Sequence, residues 1–494
     1  MKKVIIIGAG IAGLTCGIYA RQSGFDTEIY EAHTIPGGEC TGWDRKGYHF
    51  DGCIHWLVGT KNGTPINEMW RETGALDDSV GIINHAAYCT YEEDDKAVIF
   101  YTNADKLEEH LLEIAPEDRK QIKKLCKAIR RMGTMAMPID KPMDMMTAGD
   151  GMKFAAKNIR SLKYVMKYGK MNIGEFVKGF KNPFLRRAIL AAFPEGYSCM
   201  AFVSTLAGMN AGDYGCPEGG SRAFAKRMEQ KYIGLGGKVF YKSRVEKVLA
   251  ESGRAAGIRL ADGREVTGDH IVSCADGYAT LKFMLDDRYT PEVYDKLFGS
   301  PDKYLTPTCS LVFLGVSAKI EGGSRSTNIR RKETISLGGV QTDCVSILNY
   351  GYEKRFAPEG KTVMACYYSA DYDYWKALDA DKYAAEKKAL EQDAIAAVTA
   401  RFPEAEGKIE VTDVVTPITY EKYCSAWRGS WMSWVGVVKD APQYFPGLLP
   451  GLDNFIMAGM WTLSPGGVVG AAASGRFAAH RLCIQNGMKF KTKQ

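Results

Sequence analysis

The sequence is poor in metal-binding patterns. Its seven histidines show no HxxxH or HxH spacing, and its 13 cysteines include no CxxC pair. That leaves neither a zinc-type ligand set nor a disulfide framework. Scattered thiols, odd in number, fit a chain kept reduced in the cytoplasm. Neither sign of charge dominates: 64 Lys and Arg stand against 58 Asp and Glu, a net +6. That is too mild a balance to signal nucleic acid. Internal repeats and low-complexity tracts are missing too, and the two longest uncharged stretches are interrupted. Residues 4–20 follow Lys2 and Lys3 in the manner of a signal peptide, but contain Gly8, Gly10, Gly13 and Gly17. Residues 455–475 are long enough to cross a bilayer, but contain Gly459, Pro465, Gly466, Gly467 and Gly470. Both read as buried segments of an α/β protein.

What is present is size and an ordinary globular composition, with 46% hydrophobic and 25% charged residues over 494 positions. One core does not grow that far, so two or more domains are expected. The 53 glycines matter by their placement. Residues 3–7 are a β-branched run suited to a strand covered on both faces. Gly8-Ala9-Gly10-Ile11-Ala12-Gly13 follows, then a helical stretch to about Ser23, then a second strand over residues 26–30 that ends at Glu31. This is the βαβ fingerprint of a dinucleotide site. Gly8 makes the turn, Gly10 admits a pyrophosphate, and Gly13 lets the helix pack on the strand. The helix N-terminus faces the phosphates, and Glu31 is placed for ribose hydroxyls.

The kind of dinucleotide is indicated further along. Pro36-Gly37-Gly38-Glu39-Cys40 resembles the glycine pair of GR2-type FAD enzymes. Residues 47–59, from Gly47-Tyr48-His49-Phe50-Asp51-Gly52 to Gly59, resemble one branch of them, the phytoene desaturase-like group of carotenoid desaturases, carotenoid isomerases and retinol saturase. Pro217-Glu218-Gly219-Gly220 with the later Ser243-Arg244-Val245 block, and Asn454–Gly459 with Pro465–Gly470, are similar to its other motifs. Phe402-Pro403 and Thr416-Pro417 match its landmarks. The resemblance spans nearly the whole chain. It implies FAD as cofactor, held by Gly8, Gly10, Ile11, Ala12, Gly13, Glu31, Ala32, Gly37, Gly38 and Glu39. It adds Val245 on the adenine side, and Gly459, Gly467 and Val468 near the flavin. Two departures stand out: Glu39 where the family often has Arg, and Val468 where a further Gly is common.

The resemblance also implies an α/β fold in which a discontinuous Rossmann-like FAD-binding domain of GR2 type is interleaved with an α+β substrate domain. The motifs assign residues 1–75, 200–290 and 440–494 to the first domain. Residues 76–199 and 291–439 go to the second, with strands near 309–314 and 363–368 and a helix over 382–400. Residues 152–187 are basic and amphipathic. Lys153, Lys157, Arg160, Lys163, Lys167 and Lys170 recur at helical spacing, and Phe154, Ile159, Leu162, Val165 and Met166 are expected on the opposite face. Nine of the 20 methionines, Met135 among them, fall between Met132 and Met171. Two readings stand side by side, a solvated basic face over a core or a helix lying on the inner face of a membrane.

For chemistry, a flavin supplies hydride transfer and the protein positions the substrate. The resemblance implies a lipophilic polyene or isoprenoid-like substrate, whose double bond is desaturated, saturated or isomerised. The electron donor or acceptor is left open. His55 is the candidate for proton delivery or orientation, with Trp56 beside it, although a structural histidine fits equally well. Tyr420, Trp427, Trp431 and Trp434 are candidate substrate-pocket residues or core packing, and Tyr423 shares the ambiguity. Two alternatives remain at this level: a flavin amine oxidase, or a flavin-bearing lipid-binding protein without redox activity.

Overall fold

The computed structural model describes residues 1–133, 137–435 and 444–493, so Met135 and the expected domain boundary at 439/440 lie outside the described residues. Five parallel strands form the first sheet: β1 (Lys3–Ile7), β2 (Asp26–Tyr30), β3 (Lys238–Phe240), β4 (His270–Ser273) and β5 (Phe455–Met457). Their order is β3-β2-β1-β4-β5, which puts β1 at the centre. Side chains alternate across a strand, so β1 feeds two cores. Val4 and Ile6 join the helices α1 (Ile11–Gln22) and α2 (Gly467–Gln485) in one cluster. Ile5 and Ile7 join Val248, Ile258 and Leu260 of an antiparallel three-stranded layer in another. α1 and α2 pack closely: a Cβ added at Gly475 would sit 2.2 Å from the Ala12 carbonyl oxygen.

The second sheet has seven strands. Its order runs 409–415, 309–316, 362–369, 340–349, 326–337, 87–93 and 96–101. Two distant stretches of chain therefore meet in one sheet, joined where 87–93 runs parallel to 326–337. Cys309–Val316 is buried at all eight positions. Val312 and Leu314 face the helix Ala380–Arg401, whereas Leu311 and Phe313 face Tyr48 and Phe50 of a two-stranded ribbon, residues 42–45 with 48–51. The helices Ala104–Ile114, Arg119–Met132 and Cys199–Asn210 share a further core at the other end.

The helix Ala148–Tyr168 departs from the expected division of faces. Asn158, Ser161, Tyr164 and Tyr168 turn inward, and Ser161 donates a 3.1 Å hydrogen bond to the Met132 carbonyl. Ile159 and Met166 do not pack. They are 70% and 61% exposed, in line with Met152 at 69%. Positions 152, 159 and 166 are spaced by seven, hence on one helical stripe, and Lys163 and Lys167 are exposed along the same surface. Tyrosines take the inner face because each buries a large ring while keeping its hydroxyl near polar partners. Among the described residues no helix is long and apolar enough to cross a membrane.

Candidate functional site

The C-terminal ends of the parallel strands open onto a cleft, the usual ligand position in such sheets. Gly8 donates to the Tyr30 carbonyl (2.8 Å) and Gly37 to the Ala9 carbonyl (2.9 Å), which ties the first turn to the second glycine pair. The Glu31 carboxylate, at the end of β2, accepts the amides of Ala9 and His33, both at 2.7 Å. Each oxygen still has a lone pair for a ribose hydroxyl. A Cβ at Gly13 would lie 2.0 Å from the Gly8 carbonyl oxygen, so only glycine lets α1 begin this close to the turn. At Gly10 the nearest atom to such a Cβ is 3.9 Å away, so a side chain there would project into the cleft.

The cleft measures about 760 Å³, within the roughly 300–1,000 Å³ of small-molecule sites. Gly8, Gly10, Ile11, Ala12, Glu31, Ala32, Gly37, Gly38, Glu39, Val245, Gly459, Gly467 and Val468 all line it; Gly13 lies beneath the wall. α1 and α2 both start at this wall, from Gly10 and Gly466, and neither has a side-chain cap. Their free amides and positive dipole ends suit phosphate, and Arg244 adds charge of the same sign. The donors present therefore fit a dinucleotide.

Four carboxyl groups share the wall: Glu31, Glu39, Asp276 and Asp413, the last paired with Arg45 at 3.1 Å. Asp276 accepts from Trp461 Nε1 (2.7 Å) and from the amides of Ala279 (2.9 Å) and Trp427 (3.2 Å). Burial nevertheless pushes it up to about 6. Burial, followed by the charge of Asp276, pushes Glu39 up to about 8, with no cation offsetting either effect. Glu39 thus holds its proton at neutral pH. Asp276 escaped the sequence reading, although its position just beyond β4, on the crevice side of a parallel strand, was a usable signal.

The substrate-side candidates divide. Tyr420 and Trp431 line the cleft, along with Trp43, Val415 and Ile418, and Tyr420 Oη lies 3.5 Å from Cys309 Sγ. Tyr423 lines it as well. Trp427 and Trp434 are not on the wall. They pack on Phe298 and Trp461, with ring centroids 4.8–5.7 Å apart. Phe298 and Trp461 form an apolar nest that draws both rings inward, so one tryptophan of the three shapes the cleft. His55 and Trp56 lie off the wall, which on their segment stops at Cys53. Burial and the Arg325 charge lower His55 to about 3, leaving a neutral ring whose Nε2 is buried without a partner. Trp56 packs edge-on against Tyr88 at 5.7 Å.

Residues 11–483 match the family of flavin containing amine oxidoreductases. The chain is similar to the chloroplastic prolycopene isomerase of Daucus carota, with 22% identity over 99% of this chain and 81% of that one. It is also similar to the lycopene-forming phytoene desaturase of a Paracoccus species, with 24% identity over 56% and 55%. Among solved structures, cyclohexylamine oxidase from Brevibacterium oxydans superimposes with a TM-score of 0.62, at 15% identity and over 98% and 99% of the two chains. The glycine-lined cleft, its uncapped helix ends and these matches agree: the chain belongs to the flavin-containing amine oxidoreductase family, resembles its phytoene desaturase-like members, and is an FAD-dependent oxidoreductase.

Proposed function

We propose that the enzyme acts on a carbon–carbon double bond of a lipophilic polyene or isoprenoid-like substrate, by desaturation, saturation or redox-assisted isomerisation. The observation that carries this is the substrate-side wall. Trp43, Trp431, Val415 and Ile418 make it largely apolar, with Thr419, Tyr420 and the Arg45–Asp413 pair as its polar points. The two similar proteins bear the names of a carotene isomerase and a carotene desaturase. In this reading Gly10, Gly37, Gly38 and the start of α1 hold the pyrophosphate, Glu31 the ribose, Val245 the adenine side, and Gly459, Gly467 and Val468 the flavin end. FAD bound there supplies two-electron hydride exchange. The aromatic wall orients the chain of the substrate and excludes water, and Glu39, protonated at neutral pH, is the group available to give or take a proton.

The exposed stripe of Met152, Ile159 and Met166 beside Lys163 and Lys167 serves as a peripheral contact with an anionic membrane face, where such substrates dissolve. The test of the chemistry is spectroscopic. The purified protein should show flavin absorption near ~450 nm. After anaerobic photoreduction, mixing with a polyene or enone should reoxidise the flavin if the enzyme saturates. Bleaching of the oxidised flavin by a polyene marks a desaturase. Turnover of amines with peroxide release would instead make it an amine oxidase, and flavin inert to all of them would leave only a lipid carrier.

A further inference from the structure

A second cavity, of about 900 Å³, includes His85, Ile320, Arg325, Asn349, Tyr350 and Tyr352 in its wall. Arg325 immediately precedes the strand Ser326–Leu337. One of its Nη atoms donates to the backbone carbonyl of His55, which also accepts from Cys216 Sγ at 3.0 Å. Among the described residues that is its only side-chain hydrogen bond, and no ion pair engages it. A guanidinium has five donors and keeps its charge at any working pH. Arg325 is half-buried on the cavity wall without a counter-charge.

The carboxylates nearby, apart from Glu359 on the exposed rim, are engaged elsewhere. Glu321 pairs with Lys319. Glu353 accepts the amides of Gly219 (2.7 Å) and Arg355 (3.0 Å). Asp51 accepts the amide and the hydroxyl of Ser221. The cations Lys319 and Lys361 are likewise matched, by Glu321 and Glu410, and Lys354 sits exposed on the same rim as Glu359, so Arg325 offers the one guanidinium fork on the wall. His85 is lowered to about 4 by burial and by the Arg325 charge, so its ring is neutral and adds no second cation. That ring meets Tyr352 edge-on at 4.6 Å, and Tyr350 lies 6.2 Å from Tyr352.

We propose that this cavity binds an organic carboxylate, with Arg325 as its anchor and the Tyr350 and Tyr352 rings against its carbon chain. A planar fork matches two carboxylate oxygens, and a single guanidinium matches a monoanion better than a phosphate dianion. Cys53, on the flavin cleft wall, is two residues before His55, within about 7 Å along an extended chain. A ligand that pulls on Arg325 therefore acts on the segment bordering the flavin.

Geranate and geraniol share a carbon skeleton and differ in charge, so they form the deciding pair of probes, with inorganic phosphate as the third. Calorimetric titration of the flavin-loaded protein should give geranate at least tenfold tighter than geraniol, accompanied by a shift in the flavin spectrum. Arg325→Gln should abolish that preference, and Arg325→Lys, which keeps the charge without the fork, should reduce it. Ala357→Trp, on the cavity wall with the Arg325–His55 bond untouched, should weaken geranate at least tenfold and decides the matter should Arg325→Gln not fold. Equal binding of acid and alcohol, phosphate binding as tight as geranate, or geranate binding unchanged in both Arg325→Gln and Ala357→Trp would each overturn the site. Its choice of probe rests on the polyene reading, but the two fail separately. Protein that binds geranate through Arg325 and exchanges no electrons with any polyene keeps this site and loses the proposed reaction.

Discussion

Glu39 shows how one side chain sets a pH response. Its carboxyl is raised in the fold to about 8, whereas an unfolded chain releases that proton near the ordinary glutamate value of about 4.3. Between those two values the unfolded state has lost a proton that the native state keeps, so native stability falls as pH rises and levels off above about 8. Glu39→Gln keeps the shape without the titration. Its melting temperature relative to wild type should therefore climb from pH 5 to pH 8, and a gap that stays flat across that window would contradict the burial of this group. Gly13 makes a steric prediction instead. The Cβ of Gly13→Ala would meet the Gly8 carbonyl oxygen at 2.0 Å, so the turn must shift, at a cost of roughly 1–3 kcal/mol. The variant should melt lower and be purified with less bound flavin than wild type.

Among the elements, the helix Ala148–Tyr168 carries its own test. Ile159 and Met166 touch solvent, so Ile159→Glu with Met166→Glu should leave the unfolding free energy within about 0.5 kcal/mol of wild type. The same pair of changes should abolish flotation with anionic liposomes. Retained flotation would assign lipid contact to another surface. This helix also marks a limit of sequence reading. The basic positions and the period were legible, yet which stripe packs depended on the partner surface, where Tyr164 and Tyr168 fit and Ile159 does not. The β1–α1–β2 unit was legible because its chemistry is local: the strand, the Gly8–Gly13 turn and Glu31 sit within one short stretch. Trp427, Trp431 and Trp434 look alike in sequence, and only the nest around Phe298 and Trp461 separates two of them from the cleft. Arg325 gave no signal at all, since a lone arginine before a strand is ordinary until its missing counter-ion is seen.

At the scale of the whole molecule, cofactor and fold are linked by mass action. A ligand bound only by the native state adds about 2.7 kcal/mol at a hundredfold excess over its Kd. Thermal melts with added FAD should therefore rise with FAD concentration, and protein stripped of flavin should melt lowest. A melting temperature indifferent to FAD would mean that the cleft holds no nucleotide. The strand order has a further effect, on the order of events during synthesis. β1 is made long before its neighbour's partner β5 and the helix α2 that covers it. At about 5–20 residues per second, the ribosome takes roughly half a minute to a minute and a half to deliver them. Through that interval Val4 and Ile6 lack their final cover, and a half-made copy lacks the side of the cofactor cleft that Gly459, Gly467 and Val468 supply.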